Sequence, residues 1–454
     1  MIDAVVACAE RGIYGYTNCP QNLTALTLDR LRDVYGCVEP KPEWFSWQPG
    51  LVPGLSHAVR IAVRSAAAAQ RAPDTDATRV AVLTPAYPPF LAMPPFGGAL
   101  LEAVPLRQEH TACGSGAAVL RYEIDWALLE RSLAQASTRL FLFCNPHNPT
   151  GRCWTRDDVR RVASLCATHD VLLCSDEVWG EMPLEAPTTP FTSALALLEE
   201  VEGLRERLIV LTSPSKCFNV ATLDIALAVV PDPALQSAFV AAGRDQAEVG
   251  ASPTKRGERT GPLPSRAPHA LTTPPSDLPY SSNAARVHAR TRAHSATHAL
   301  ARSAHRRGSH PSPSLHPSHH RGSHRPCSQV TPFGFFAAEA AFGPAESEAW
   351  RQRLITYVRA NRDYAIARLG AVPGMVTTRP ESSYLLWVDA SAALPPGAKS
   401  AADHLLSHGV GVSEGVDFAG APGCFRINLA CLRTTLERGL GRVVDAFPAP
   451  PSGP

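Results

Sequence analysis

The chain of 454 residues predicts an α/β fold: a large region built on a mainly parallel sheet, followed by a smaller α+β region. Three observations lead there. Four short apolar runs lack polar alternation, helical patterns lie between such runs, and each run ends in a cluster of polar or conformationally special residues. Continuous apolar runs of strand length suit strands covered on both faces, as in a parallel sheet. Strands alternating with helices build such a sheet, and ligands then bind at the carboxyl ends of its strands.

The elements follow in order. "WQPGLVPGLSHAVRIAV" (Trp47–Val63) reads as a glycine-containing turn and then an amphipathic helix, whose free N–H groups suit a phosphate. "RVAVLT" (Arg79–Thr84) leads into "PAYPPF", and "RLFLFC" (Arg139–Cys144) leads into "NPHNPTG". "TRDDVRRVASLCATH" (Thr155–His169) has a threonine at its start and charge on one side, which predicts a capped helix. "VLLCS" (Val171–Ser175) leads into "DEVW", and "LIVLTS" (Leu208–Ser213) into "PSKCFN". "AWRQRLITYVRANRDYAIARL" (Ala349–Leu369) has apolar residues at helical spacing and is expected to join the two regions.

Composition narrows the classes. A hydrophobic fraction of 45% with mean hydropathy near zero describes a globular chain. No apolar run approaches the roughly 18 residues of a membrane span, and the start shows no basic segment followed by a long apolar core. Twelve cysteines form no CxxC pair and no metal-ligand rhythm, so free thiols, no metal and a reducing, cytoplasmic setting are expected. Residues 250–329 differ from the rest: they hold 12 of the 43 Lys and Arg, 2 of the 41 Asp and Glu, and ten of the sixteen His. This Pro/Ser/Arg/His-rich stretch has too little apolar surface to offset its ordering entropy, and disorder is expected. Its alternatives are a basic tether for nucleic acid, a weak histidine metal site, or non-coding sequence translated by mistake. We favour the last, because "GRDQAEV" would run smoothly into "VTPFGFFAAEAAF" without it. The expected division is therefore residues 1–249 with 330–348 as the large domain, 349–448 as the small one and 449–454 as a tail.

Only four of the 43 Lys and Arg residues are lysines, and three of those lie in loop-like text. Lys216, just beyond an apolar run, is the exception. An arginine serves equally well as surface charge, but only a lysine can lose its proton and attack a carbonyl carbon. The neighbouring clusters complete a kit. Asp176 offers a carboxylate, Tyr87 a flat ring, Asn148 an amide, and Ser213 and Ser215 hydroxyls. An imine-forming lysine with a ring partner, a carboxylate and a phosphate cradle matches pyridoxal 5′-phosphate, an electron sink. Each piece alone has a plainer reading: Asp176 as a helix cap, Tyr87 as a packed turn aromatic, Asn148 as a turn former. His147 is read as structural.

Taken as strings, "GIYGYT", "PGLVPGLSHAVR", "TPAYPPF", "CNPHNPTGRCWT", "SDEVWGEM", "SPSKCFNVATL", "ANRDY", "SSYLLWVD" and "GCFRINLACLR" resemble the class I/II aminotransferase family of PLP-dependent enzymes. They resemble its cystathionine and cysteine-conjugate C–S β-lyase branch more closely. The resemblance implies the PLP-dependent transferase fold, with Lys216 as the covalent link to the cofactor and Asp176 keeping the ring nitrogen protonated. It implies Asn148 at the ring hydroxyl and Tyr87 stacked on the ring. Gly50, Leu51 and Val52, with Ser213, would take the phosphate, and Tyr16 would reach the phosphate of a neighbouring subunit in a homodimer. Arg426, with Asn148, would clamp the substrate α-carboxylate bidentately. The implied partner is a small amino acid; no membrane or nucleic acid is expected.

Three departures stand out. Trp179 occupies a position where many aminotransferases carry a tyrosine, and its indole N–H donates but cannot accept. Asp224 occupies that of a phosphate-binding arginine. The chain also begins just before "GIYGYT", so the family's N-terminal arm is expected to be missing. The expected reaction is β-elimination from cystathionine or a cysteine S-conjugate. Transamination on the same lysine is the alternative, and an impaired relative or aberrant gene product a third.

Overall fold

The computed structural model describes residues 1–15, 17–68, 77–112, 118–185, 188–248 and 330–447. The expectations for residues 250–329 and 449–454 lie outside the described residues. Thirteen strands are described: β1 (Phe45–Gln48), β2 (Arg79–Thr84), β3 (Leu100–Pro105), β4 (Arg107–Ala112), β5 (Ala118–Glu123), β6 (Thr138–Cys144), β7 (Leu172–Asp176), β8 (Leu208–Thr212), β9 (Ala226–Val229), β10 (Val376–Thr378), β11 (Leu385–Asp389), β12 (Ser413–Glu414) and β13 (Cys424–Asn428). Seven form one sheet in the order β1-β9-β8-β7-β6-β2-β3. Within it β3, β2, β6, β7 and β8 run parallel, while β9 is antiparallel to both its neighbours. The four apolar runs are thus four adjacent, mutually parallel strands of one sheet.

Burial on both faces explains why those runs do not alternate. Val80, Val82, Leu140, Leu142, Cys174, Ile209 and Leu211 face one core, and Ala81, Leu83, Phe141, Phe143, Leu173 and Val210 face another. Register sets Val82, Leu142, Cys174 and Ile209 side by side across four strands. Fully burying an aliphatic side chain stabilises by about 1.5–3 kcal/mol, so a polar residue on either face would be costly. The helices Leu51–Ala68 and Pro233–Glu248 cover the first face through Leu55, Ala58, Val59, Leu235 and Phe239. The helix Arg156–Thr168 covers the second through Val159, Val162 and Cys166. Its start is the expected one: the Thr155 hydroxyl accepts from the Asp158 N–H, and the Asp158 carboxylate accepts from the Thr155 N–H.

The second sheet has the order β12-β13-β11-β10-β5-β4 and is antiparallel except between β10 and β5. Here the structure differs from the sequence-based division at residue 349. β4 and β5, from residues 107–123, leave the large sheet and pair with the C-terminal strands, with Thr377 opposite Val119. Tertiary pairing decides this, and a single sequence carries no signal for it. The long helix extends over Ala345–Leu369, one turn further back than expected, with Glu346 and Glu348 in its first turn. Ile355 and Val358 pack in a cluster with Trp179 and Phe218, and Ala365 and Leu369 in another with Val388 and Phe425. One helix therefore spans from the large sheet's loops to the small sheet.

Candidate active site

The carboxyl ends of β2, β6, β7 and β8 converge. Asp176 is the last residue of β7, opposite Cys144 of β6 and Leu211 of β8. Its carboxylate is buried and accepts the Val178 N–H at 3.1 Å. Burial raises its pKa to about 6, while the Val178 bond and the nearby Lys216 charge pull the other way. Lys216 follows β8 in the turn 214–219. Burial holds its amine below the usual lysine value; Asp176 opposes that shift and Arg426 adds to it. Its Nζ lies 6.0 Å from the centre of the Trp179 ring. Burial therefore drives the acid and the base alike towards their neutral forms, the state in which an amine is nucleophilic.

Tyr87 ends the loop after β2 and precedes the helix Pro88–Phe96. Its hydroxyl pKa is raised by burial and further by Asp176, with Arg426 opposing. Asn148, in the loop after β6, accepts at Oδ1 from Nη1 of Arg426 at 3.0 Å. Arg426 lies in β13, so this bond joins the two sheets. Lys216, Asp176, Tyr87, Asn148 and Arg426, drawn from five separate stretches of chain, meet in one place. His147 is structural as expected: buried, bonded through Nδ1 to Thr150 at 2.9 Å, and with a pKa driven to about 3 by burial.

The phosphate end is more varied. Gly50, at φ +141°, leads straight into the helix beginning at Leu51, whose first N–H groups have no partner within the helix. Leu51 packs beside both the cluster holding Tyr87 and that holding Trp179 and Cys217, so this helix end borders the lysine turn. Val52, in the first turn of that helix, is exposed. Ser213 is buried at the start of the lysine turn. Its hydroxyl donates to the Ile225 carbonyl at 2.6 Å and accepts from the Ser215 N–H at 3.0 Å, so its proton secures the lysine turn. Asp224 caps a short helical turn in the left-handed region at φ +48°. Tyr16 lies outside the described residues.

Sequence reasoning missed several neighbours. Tyr384 packs edge-on against Trp179 with ring centres 4.7 Å apart, and burial pushes its hydroxyl pKa up to about 12. Phe418 lies under the Arg426 guanidinium at 4.6 Å, and its carbonyl accepts the Ala86 N–H beside Tyr87. Ser413 of β12 accepts from Arg426 Nη2 at 3.2 Å. "SSYLLW" marked Tyr384 as part of a string, but nothing local marks Ser413 or Phe418. Behind the loop 145–152, Glu381 receives Arg152 Nη1 at 2.6 Å, the Cys153 N–H at 2.8 Å and Arg121 Nη1 at 3.2 Å. Gly151, at φ +73°, abuts Pro380 so closely that a Cβ would lie 2.5 Å from the proline side chain.

The donor set fits pyridoxal phosphate at its ring end. It has an amine whose pKa burial lowers, a buried carboxylate that forms no ion pair among the described residues, and an aromatic beside them. Among the described residues no group of His, Cys, Asp and Glu could hold a metal ion, and no helix is long and apolar enough to cross a membrane. All ten described cysteines are free thiols.

Comparison with known proteins agrees. Residues 78–255 match the family model "Aminotransferase class I and II". The chain is 25% identical over 441 residues to cystathionine beta-lyase PatB of Bacillus subtilis, covering 96% of this chain and 86% of that one. The crystal structure of OvoB superposes with a TM-score of 0.67 at 26% identity, covering 100% of this chain and 89% of the other. Cystalysin of Treponema denticola, whose structure contains a pyridoxal 5′-phosphate cofactor, gives a TM-score of 0.70 at 19% identity, covering 98% and 86%, a likeness of fold. Assembled from five separate stretches onto a fold these proteins share, the site lies in a chain that is similar to class I and II aminotransferases over residues 78–255 and to cystathionine beta-lyases over nearly its whole length.

Proposed function

We propose that this chain is a pyridoxal phosphate-dependent C–S β-lyase acting on cystathionine or a cysteine S-conjugate to give pyruvate, ammonia and a thiol. The observation that carries the reading is the convergence of Lys216, whose pKa burial lowers, with a buried Asp176 at the ends of adjacent strands. The cystathionine beta-lyases among its relatives support the choice of substrate class. When bound, pyridoxal phosphate supplies an electron sink that allows a Cα proton and then a β-thiolate to leave. Lys216 would anchor it, and Asp176 would hold a proton at the ring nitrogen. Tyr87 would lie against the ring, and the N-terminus of the helix Leu51–Ala68 would face the phosphate.

The substrate carboxylate meets Arg426, already oriented by Asn148. That contact fixes Cα within reach of Lys216, whose lowered pKa lets a neutral amine take the Cα proton. Trp179 and Tyr384 wall the site and exclude water from the proton transfer. We further infer a homodimer, with Tyr16 serving the partner's site, on the family resemblance. Incubation with cystathionine tests the reading: pyruvate should appear without any added keto acid. Strict dependence on a keto acid would instead establish transamination.

A further inference from the structure

We infer that Ser413 is a further residue of the substrate-carboxylate site, acting both on Arg426 and on the carboxylate itself. This rests on the functional reading above and deepens it. β12 is only two residues long, and its register sets Ser413 directly opposite Arg426 of β13. The Ser413 hydroxyl accepts from Nη2 of Arg426, while Asn148 accepts from Nη1. Both terminal nitrogens of the guanidinium are therefore tied, and Phe418 closes one face at 4.6 Å. Arg426 cannot swing about its long stem, so its remaining N–H groups point in one fixed direction.

Ser413 accepts from the arginine and so keeps its own proton. Among the described residues no acceptor takes that proton, and the hydroxyl is half-buried beside the guanidinium. A carboxylate drawn to Arg426 supplies the acceptor, since its two oxygens offer about four lone-pair sites. The substrate's α-carboxylate is then held by side chains from three elements: Asn148 after β6, Ser413 in β12 and Arg426 in β13. Ser413 adds a charge-assisted bond and pre-orients the arginine, and both effects act on ligands that carry a carboxylate.

The test compares two ligands that differ in that group. L-Alanine and ethylamine are titrated against the cofactor-loaded protein, with dissociation constants read from the visible absorbance of the cofactor. Ser413→Ala should weaken L-alanine by about 5- to 20-fold and leave ethylamine within about twofold, and Ser413→Thr should restore L-alanine. KM for a cysteine S-conjugate should rise in parallel, with kcat little changed. Equal weakening of both ligands, or no weakening of either, overturns the inference. Discrimination kept without pyruvate release would sink only the lyase reading; pyruvate release without discrimination would sink only the Ser413 assignment. A wild-type protein that gives no cofactor absorbance would overturn both.

Discussion

Two clusters of buried charge hang on the same loop, residues 145–152, and they are built in opposite ways. On one side Asn148 reaches Arg426, near Lys216 and Asp176, and no ion pair satisfies these charges among the described residues. On the other side Arg152 is ion-paired with Glu381 and Glu123, and Arg121 with the same two carboxylates. In the first cluster burial wins and pushes acid and lysine towards neutrality. In the second the carboxylates outweigh the desolvation of Arg152 and raise its pKa. A buried charge left without a counterion costs stability, and Asp176 and Lys216 carry that cost at the site where we propose that a ligand supplies the counterion. The paired cluster acts as a clasp, holding the Asn148 loop against the segment that leads into Tyr384 and β11.

Substitutions on the two sides should therefore behave differently. The largest effect is expected for Lys216→Ala. It should abolish the visible absorbance formed with pyridoxal phosphate and lower kcat/KM for C–S cleavage by at least about 10³-fold. Absorbance that survives the substitution would remove Lys216 from its role. Next is Glu381→Ala, which leaves Arg152 buried without its principal partner. It should destabilise the fold by about 3–5 kcal/mol in a denaturant titration, although Glu381 touches no reacting atom. A change within error would show that the clasp is ornamental.

The fold was legible because burial on two faces writes itself into sequence as unbroken apolar runs, and Thr155 and Asp158 announce their helix locally. Lys216 was legible because lysine is scarce here and its chemistry is not shared by arginine. Asp176 and Asn148 stood at the ends of legible strands. The rest depended on contacts far apart in the chain. Nothing around residues 107–123 says that two strands will join the C-terminal sheet. Nothing in "GVSEG" says that Ser413 will face Arg426. Nothing in "SPSK" says that the Ser213 hydroxyl will meet the Ile225 carbonyl.

A smaller effect sharpens the comparison within β7 and its continuation. Glu177, next to Asp176, is fully buried but bonded by Ser175, Ser193 and the Ala194 N–H. Burial raises its pKa from 4.5 to about 7. The folded state keeps this proton where the unfolded chain has lost it, so the group's contribution to stability falls as pH rises from about 4.5 towards about 7. Glu177→Gln should flatten that part of the stability profile, measured by thermal unfolding at intervals of pH. An unchanged slope would mean that another group titrates there.

The most direct test of the central claim is thermal unfolding at pH 8 of wild type, Asp176→Asn and Glu381→Gln, each with and without pyridoxal phosphate. If Asp176 is a charge kept unpaired for the cofactor, Asp176→Asn holds or raises the melting temperature of the cofactor-free protein and loses most of the increase that the cofactor brings. Glu381→Gln should instead lower the melting temperature of both forms and keep that increase. An Asp176→Asn protein that melts earlier without cofactor, yet gains as much from it as wild type, would contradict the account.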